Sequence, residues 1–420
     1  MLVVYSLALL LVLVVGAPYW LLRMAASGKY REGLRERLGF VPLPLRLNER
    51  KAERILWVHA VSVGEVLAAS RLIAELGEQS GCTVMISTTT RAGQRLARER
   101  FGADRVFYFP LDFAFAVRAY LRALRPRMVV LIETEFWPRM LTECRRAEVP
   151  VAVVNARISD RSWPRYRRLR FLWKHLLNHF AVVLAQSGLD AQRLTALGAS
   201  NVRVGGNLKY DIRVAQPAAV TEALRAHLPA GAKIVVCGST LAGEEEFLLD
   251  LLPPDVITIL APRHPERFDT VAAMLSSRSA PFVRRSQWML APAPLAPGTI
   301  FLLDSIGELA SIDSLASVAV IGGGFFVPGG HNPLEPAQFA VPAIMGPHYE
   351  NFRGIVEKLR AANAILIAEP SALGPRLHDL LNDESAAKTM GARARAVFER
   401  EAGATPRAVA ALLDVLRERA

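Results

Sequence analysis

The chain has 420 residues, 52% of them hydrophobic, and this length favours two domains over a single core. Its formal net charge of +12 suits an anionic membrane or lipid, with genome base composition and a solvated surface as the alternative. No zinc-finger, recognition-helix or RNP pattern indicates nucleic acid. The three cysteines lie far apart without metal-ligand spacing. The sequence therefore predicts a reducing compartment, no disulfide framework, no metal site and no cofactor.

The first predicted element is an uncharged segment at residues 2–22, about long enough to span a bilayer as a helix. Tyr19 and Trp20 lie near its end, where aromatic rings favour the membrane interface. A basic cluster follows at Arg23, Lys29, Arg31, Arg35 and Arg37. By the positive-inside rule, this cluster keeps the rest of the chain in the cytoplasm. We predict a membrane anchor at residues 1–23, spanning or monotopic. A cleaved signal peptide is disfavoured because the basic segment that should open it is missing.

The rest of the chain alternates short, continuous apolar runs with segments of helical period. Such runs predict strands buried on both faces, and therefore parallel, doubly wound sheets. We expect strands at 55–61, 82–87, 105–109, 128–133, 149–155, 181–186, 233–238, 256–261, 299–304, 318–322, 342–345 and 364–368. A segment rich in Pro and Ala separates two sets. The prediction is a Rossmann-like domain at 24–212, a linker at 213–232, and a second Rossmann-like domain at 233–420 facing it across a cleft. The helical tail from residue 386 is expected to pack on the first domain.

Glu65 is the first candidate for chemistry, because it falls in the first turn of the helix that follows the first strand. A carboxylate at that strand edge could deprotonate an acceptor hydroxyl, or it could merely favour the helix dipole. Ser62 lies in the same turn, where residues 60–64 form a loosened nucleophile elbow. This hydrolase alternative would need Gly in place of Ala60, and an Asp and a His further along the chain.

Glu133 and Glu135 form a second acidic site at a strand end. Carboxylates there are costly to bury unless they form hydrogen bonds. They indicate acceptor positioning or transition-state support, with capping of the next helix as the alternative.

A basic segment with aromatic residues at helical spacing follows at residues 157–174. It is typical of an interfacial helix that contacts a membrane or a lipid acceptor. The alternative is a surface helix whose apolar face belongs to the core. The residues assigned to this surface are Arg157, Arg161, Trp163, Arg165 and Arg168.

In the second half, Arg263 directly follows a strand and is suited to grip a phosphate or carboxylate. Further on, residues 322–336 combine five glycines with Asn332 and Glu335. Glycines let the backbone approach an anion, and a helix opening after Asn332 would direct amides at it, with Pro333 first in that helix. Glu335 could accept hydrogen bonds from ribose hydroxyls. The alternative is a structural turn. The segment is neither a P-loop nor a strict dinucleotide fingerprint, and no D-x-D pair calls for a metal-bridged donor.

Together these segments resemble the Kdo transferases, which add 3-deoxy-D-manno-octulosonic acid (Kdo) from a CMP donor to the lipid A precursor. The resemblance covers nearly the whole chain, in family order. Besides the anchor, the matching segments are residues 62–65, 133–138, 206–211, 262–267, 306–309 and 330–336.

The resemblance implies an inverting, metal-independent transferase of the GT-B fold, anchored in the inner membrane with cytoplasmic domains. Its partners would be CMP-Kdo and lipid IVA, with the number of Kdo units left open. Glu65 would be the general base, and Glu133 or Glu135 with Lys209 would support the transition state. CMP would be held by Pro262, Arg263, Ile306, Gly307, Glu308, Asn332, Pro333, Leu334 and Glu335. The alternatives are another GT-B nucleotide-sugar transferase and a membrane-tethered nucleotide-sugar sensor.

Overall fold

A computed structural model describes residues 2–27, 31–46, 54–214 and 216–418. Lys29 of the predicted basic cluster lies outside these ranges. The chain divides into two compact units. Unit 1 comprises Met1–Ile212 and Ala402–Ala420, and unit 2 comprises Arg213–Glu401.

Unit 1 is built on a seven-stranded parallel sheet with strand order β3-β2-β1-β4-β5-β6-β7. The order reverses between β1 and β4, which makes this the switch point where open α/β sheets bind ligands. Its strands are β1 (Ile55–His59), β2 (Thr83–Thr88), β3 (Val106–Tyr108), β4 (Met128–Ile132), β5 (Val151–Ala156), β6 (Val182–Ala185) and β7 (Val202–Val204).

Helices cover both faces of this sheet, since alternate residues of β1 belong to two different core clusters. Trp57 packs with Phe107 and Tyr120 on one face, whereas Leu56 and Val58 pack on the other. The helices are α1 (Leu2–Ser27), α2 (Leu34–Arg37), α3 (Leu43–Arg46), α4 (Val63–Ser80), α5 (Arg91–Phe101), α6 (Ala114–Leu124), α7 (Pro138–Arg146), α8 (Trp163–Arg168), α9 (Arg170–Leu177), α10 (Gly188–Ala196) and, at the end of the chain, α20 (Ala404–Arg417).

Unit 2 has a second seven-stranded parallel sheet, with strand order β10-β11-β9-β8-β12-β13-β14. Its switch point lies between β8 and β12. The strands are β8 (Ile234–Thr240), β9 (Ile257–Pro262), β10 (Phe282–Arg284), β11 (Ile300–Leu302), β12 (Val318–Ile321), β13 (Ala343–Met345) and β14 (Leu366–Ile367). The helices are α11 (Ala219–His227), α12 (Glu244–Leu249), α13 (Phe268–Ser277), α14 (Arg285–Trp288), α15 (Leu309–Ile312), α16 (Leu334–Ala337), α17 (Arg353–Ala361), α18 (Pro370–Asn382) and α19 (Glu384–Glu401).

Every predicted strand is present, with ends shifted by at most two residues. Strands β7 and β10 were not predicted. Each is three residues long, lies at a sheet edge and is not fully buried, so neither produces a continuous apolar run.

The predicted domain limits differ from the two units at both ends of unit 2. The interval 213–232, predicted as a linker, contains α11, whose Val220 and Leu224 are buried in the unit 2 core. The tail predicted within 233–420 is divided, because α19 belongs to unit 2 and α20 to unit 1. Ala408 and Leu412 of α20 join the same core cluster as Leu56 of β1.

Candidate functional site

Glu65 lies in the first turn of α4, where the chain leaves β1 at the switch point of unit 1. Its half-buried carboxylate accepts hydrogen bonds from the Val61 backbone N–H at 2.7 Å and the Ser62 hydroxyl at 2.9 Å. The pKa of Glu65 is raised to about 7, chiefly by burial; nearby Glu133 and Glu135 contribute to the rise, and the two donors oppose it. The side chain therefore accepts the donors at the start of its own helix and also has a near-neutral pKa, the property that a general base needs.

Glu133 and Glu135 follow β4, the strand next to β1. Glu133 has a left-handed backbone (φ 62°), and its N–H donates to the Val154 carbonyl of β5 at 2.9 Å. Glu135 accepts a hydrogen bond from the Trp137 indole at 3.0 Å. Burial raises the pKa of Glu135, and Glu133 adds to the rise. Three carboxylates from two adjacent strand ends therefore share one electrostatic neighbourhood.

Lys209 belongs to the same neighbourhood, although it follows β7 at the sheet edge. Burial lowers the pKa of its ammonium, Glu133 and Glu65 oppose this, and Arg157 adds to the lowering. The structure therefore brings together the four residues predicted for catalysis: Glu65, Glu133, Glu135 and Lys209.

Asn155 supports the Lys209 turn, and the sequence analysis missed it. This buried residue has φ 62°, and its side-chain oxygen accepts a hydrogen bond from the Leu208 N–H at 3.1 Å. Gln186 donates to the Asn155 carbonyl at 3.0 Å and accepts from Asn207 at 3.3 Å. The available sequence signal was an Asn and a Gln at the ends of the strands predicted at 149–155 and 181–186.

In unit 2, Arg263 follows β9 and is exposed, while its backbone N–H donates to the Thr240 carbonyl at 3.0 Å. Glu335 lies in the short helix α16 and accepts a hydrogen bond from the Asn332 amide at 3.2 Å. Burial raises the pKa of Glu335, whereas Asn332 and Arg263 oppose the rise. Burial lowers the pKa of His331 to about 4, helped by Arg263 and His264. The predicted cation and the predicted ribose acceptor therefore lie within electrostatic reach of each other.

The predicted helix after Asn332 is corrected in two ways. Helix α16 begins at Leu334 and has only four residues, with Pro333 before it. The Leu334 N–H is already bound to the Asn332 side-chain oxygen at 3.2 Å. Pro333 and Leu334 are buried, as is Pro262 at the end of β9. Their side chains therefore support the site from the protein interior.

The glycine-rich loop after β12 does approach an anion, but that anion is the chain's own Glu244. This buried carboxylate accepts hydrogen bonds from the backbone N–H groups of Leu241 at 2.9 Å, Gly323 at 2.7 Å and Phe325 at 3.1 Å. A Cβ on Gly322 would lie 2.8 Å from Glu244 Oε2. The expectation that these glycines leave amides open for a ligand phosphate is therefore wrong for Gly323, because sequence patterning does not reveal a buried internal partner.

Asp313 was also missed. It is buried beside β12 and lines a small cavity together with Ser239, Asn332 and Glu335. Burial raises the pKa of Asp313 well above its usual value, and Glu335 adds to this. Burial beside Glu335 therefore favours the neutral form of this carboxyl.

The predicted segment 306–308 follows β11. Ile306 and Gly307 are exposed, and Gly307 has φ 91° with open space around it. The Glu308 carboxylate accepts hydrogen bonds from Arg285 at 2.6 Å and from the Ser305 hydroxyl. The exposed backbone at residues 306–307 is accessible to a planar ligand group. Glu308 stabilises the turn through its two hydrogen bonds.

The predicted basic helix is divided at Leu169 into α8 and α9. Arg161, Arg165 and Arg168 are exposed, and Arg157 is half-buried with its N–H bound to Thr134 at 3.1 Å. Trp163 packs against the core, with the Arg193 guanidinium 5.6 Å above its ring. The arginines therefore present an open basic face, whereas the aromatic stripe serves mainly the core.

Comparisons with known proteins show the family to which the chain belongs. The family model described as 3-deoxy-D-manno-octulosonic-acid transferase (kdotransferase) matches residues 32–212. The 3-deoxy-D-manno-octulosonic acid transferase of Haemophilus influenzae is 32% identical over 410 residues, covering 93% of this chain and 92% of that protein. The protein of the same name from Bordetella pertussis is 35% identical over 379 residues, covering 86% and 87%.

Two solved structures show the fold. Acinetobacter baumannii MurG is 16% identical with a TM-score of 0.52, covering 86% of this chain and 98% of that one. Anabaena Alr3699/HepE in complex with UDP is 11% identical with a TM-score of 0.54, covering 86% and 99%. Both match the two parallel-sheet α/β units, which are those of the GT-B fold. With relatives above 30% identity over nearly their whole length, this chain belongs to the 3-deoxy-D-manno-octulosonic acid transferase family of glycosyltransferases.

Proposed function

We propose that this chain transfers Kdo from CMP-Kdo to lipid IVA, in an inverting and metal-independent reaction at the cytoplasmic face of the inner membrane. The observation that carries the proposal is Glu65, a half-buried carboxylate with a pKa of about 7 beside Glu133, Glu135 and Lys209. A base poised near the working pH is partly ionised, yet basic enough to take a proton from a sugar hydroxyl.

In the proposed reaction, Glu65 removes the proton of the acceptor hydroxyl while that oxygen attacks the anomeric carbon of Kdo. A new C–O bond forms on the face opposite CMP. The bond to the CMP phosphate breaks, and CMP leaves with the electron pair. A single displacement of this kind inverts the configuration. Glu65 keeps the proton until it is released to solvent.

Lys209 and the acidic pair at Glu133 and Glu135 set the charge around this step. Lys209 provides a positive charge close to Glu65, because Glu65 raises the pKa of its ammonium. That charge favours the developing anion on the acceptor oxygen. Either Glu133 or Glu135 can orient the acceptor sugar by accepting hydrogen bonds from its hydroxyls.

For the donor, Arg263 supplies the cation for the phosphate and carboxylate of CMP-Kdo, since a guanidinium suits both groups. Glu335 accepts hydrogen bonds from the ribose hydroxyls, oriented by Asn332. The exposed backbone at Ile306 and Gly307 contacts the cytosine. A single phosphate needs no bridging metal when a fixed cation is present.

For the acceptor, the exposed Arg161, Arg165 and Arg168 match the negative phosphates of a bisphosphorylated lipid, with Arg157 nearer the carboxylate cluster. Helix α1 keeps the enzyme at the membrane that holds this lipid. By length and composition it is the one described helix apolar enough to cross a bilayer. The arginines after it favour a cytoplasmic enzyme.

The test is CMP release by the full-length protein, measured with CMP-Kdo and with a panel of UDP-sugars, in the presence of lipid IVA and EDTA. We expect release from CMP-Kdo alone. Glu65→Gln should lose two or more orders of magnitude in turnover while still binding CMP. Turnover of a UDP-sugar would support another GT-B transferase. Full activity of Glu65→Gln would contradict the assignment of the base.

A further inference from the structure

Helix α1 is long enough to cross a membrane, but the contacts of its N-terminal end and the short connection after its C-terminal end place both ends at unit 1. It has 26 residues and is therefore about 39 Å long. A helix that spans must separate its ends by a hydrocarbon layer of about 30 Å. The contacts at each end therefore decide whether this helix spans.

The N-terminal end of α1 is bound by residues near the start of α7. Arg139 donates from Nε to the Ser6 hydroxyl at 2.8 Å and from Nη2 to the Leu2 carbonyl at 3.0 Å. The Tyr5 hydroxyl is hydrogen-bonded to Asp112. Asp112 is itself buried, and it accepts the backbone N–H groups of Arg139 at 2.9 Å and Met140 at 2.7 Å. The first turns of α1 therefore lie against the folded body of unit 1.

The C-terminal end is bound to unit 1 by chain connectivity. Three residues separate Ser27 from Arg31, so four peptide steps of at most ~3.6 Å each join them. Helix α2 follows, and it is fixed to the sheet. The Leu111 N–H donates to the Arg37 carbonyl at 2.7 Å, and the Tyr108 N–H to Glu36 at 2.7 Å.

We propose that α1 is a monotopic anchor, lying in the plane of the cytoplasmic leaflet with its N-terminus in the cytoplasm. If α1 spanned the bilayer, residues 2–6 would lie across the hydrocarbon layer from a cytoplasmic unit 1. Arg139 and Asp112 could not then reach them.

The pattern of exposed and half-buried residues along α1 agrees with a helix that lies within one leaflet of the membrane. Leu2, Leu9, Leu13 and Trp20 are half-buried on a stripe at helical spacing, which is the side turned to protein. A helix that lies in the membrane plane normally has a polar face that is turned away from the hydrocarbon. In α1, the side turned away from the hydrocarbon is the half-buried stripe, which faces unit 1 instead. The exposed side is apolar along its whole length, at Val3, Val4, Leu7, Leu10, Leu11, Val14, Val15, Leu21 and Leu22.

Positively charged residues lie next to this apolar side, as expected for a helix bound to an anionic leaflet. Arg23, Arg31 and Arg35 are exposed. Phe40 and Leu43 are 54% and 66% exposed on the segment that follows. Basic residues beside exposed apolar ones are typical of a surface that inserts shallowly among anionic headgroups. The inference rests on the membrane anchoring in the proposed function, but not on the sugar chemistry.

The test is cysteine accessibility in spheroplasts, because all three native cysteines are buried and give a low background. One cysteine is inserted between residues 1 and 2 of the full-length protein, and Arg168→Cys serves as the matched cytoplasmic control. A membrane-impermeant maleimide should label neither site in intact spheroplasts and both after lysis. Labelling of the inserted cysteine before lysis would overturn the proposal. Loss of transferase activity would leave this readout unaffected.

A second readout tests the contact itself. The pair Ser6→Cys and Arg139→Cys should be joined by a short bis-maleimide in intact membranes, and mass spectrometry of the linked peptides detects this. Ser6→Cys paired with Arg145→Cys, an exposed site on the same helix, is the control. Equal linking of both pairs, or of neither, would contradict the placement of α1.

Discussion

The carboxylate of Glu65 is held by two donors of its own turn and faces two further carboxylates. Because burial and like charges favour the neutral form, its pKa is about 7 rather than near 4.5. A general base works only when ionised, so its ionised fraction falls about tenfold for each pH unit below the pKa. The structure therefore links a local arrangement to an observable pH profile.

We predict that kcat/KM falls with unit slope below about pH 7, and a pH–rate profile between 5.5 and 9 checks this. Ser62→Ala removes a donor that lowers the pKa of Glu65. The acid limb should therefore move to higher pH while activity at high pH is kept. A flat profile through pH 7, or inactivation by Ser62→Ala as a serine hydrolase requires, would oppose this account.

Glu244 gives a prediction about stability. Glu244→Ala removes the acceptor of three backbone amides in a buried loop, which costs about 3 kcal/mol. For a unit of this size, that lowers the midpoint of thermal unfolding by roughly 6–12 °C. Glu246→Ala, at an exposed position in the same helix, should change it by ~2 °C at most. Circular dichroism of the detergent-solubilised protein measures both, and equal effects would contradict the assigned role.

At the scale of elements, the continuous apolar runs were sufficient to predict every strand of both sheets except the short edge strands β7 and β10. The sequence also placed Glu65, Glu133 and Arg263 at carboxyl ends of strands, because the period change from strand to helix is local. It could not reveal that Gly323 binds Glu244 or that Asp313 lies beside Glu335, since both depend on packing between distant segments. The broken helix at Leu169 was missed because its aromatic spacing continues across the break.

Helix α20 illustrates a tertiary role inside a predicted site motif. Asp211, at the end of the segment that carries Lys209, accepts hydrogen bonds from the N–H groups of Gly403 at 2.6 Å and Thr405 at 2.5 Å. This buried carboxylate therefore caps the first turn of α20 and joins it to the sheet of unit 1. The motif that carries Lys209 therefore also has a structural function.

We expect Asp211→Ala to cost about 2 kcal/mol, because it uncaps a helix and leaves buried amides unpaired. The midpoint of thermal unfolding should fall by roughly 4–8 °C. Asp414→Ala removes an exposed charge from the same helix and should have little effect. A differential scanning experiment on both variants decides the matter. No shift for Asp211→Ala would show that α20 is held by its apolar face alone.

At the scale of the whole molecule, the chain combines an apolar N-terminal helix, a unit with a half-buried carboxylate cluster, and a unit in which Arg263 lies within electrostatic reach of Glu335. Each unit alone is a common α/β fold, and fold does not specify substrate. Membership of the transferase family and the chemistry of these residues together point to an anionic sugar donor and a lipid acceptor. The family resemblance was available from the sequence, whereas the electrostatic coupling among Glu65, Glu133 and Lys209 required the structure.

Mass spectrometry of the lipid formed by the purified full-length protein from CMP-Kdo and lipid IVA tests the central claim most directly. We predict that the acceptor mass increases by whole Kdo increments, and that Glu65→Gln leaves the acceptor unmodified under the same conditions. An unchanged lipid with the wild-type protein, or a normal product with Glu65→Gln, would contradict it.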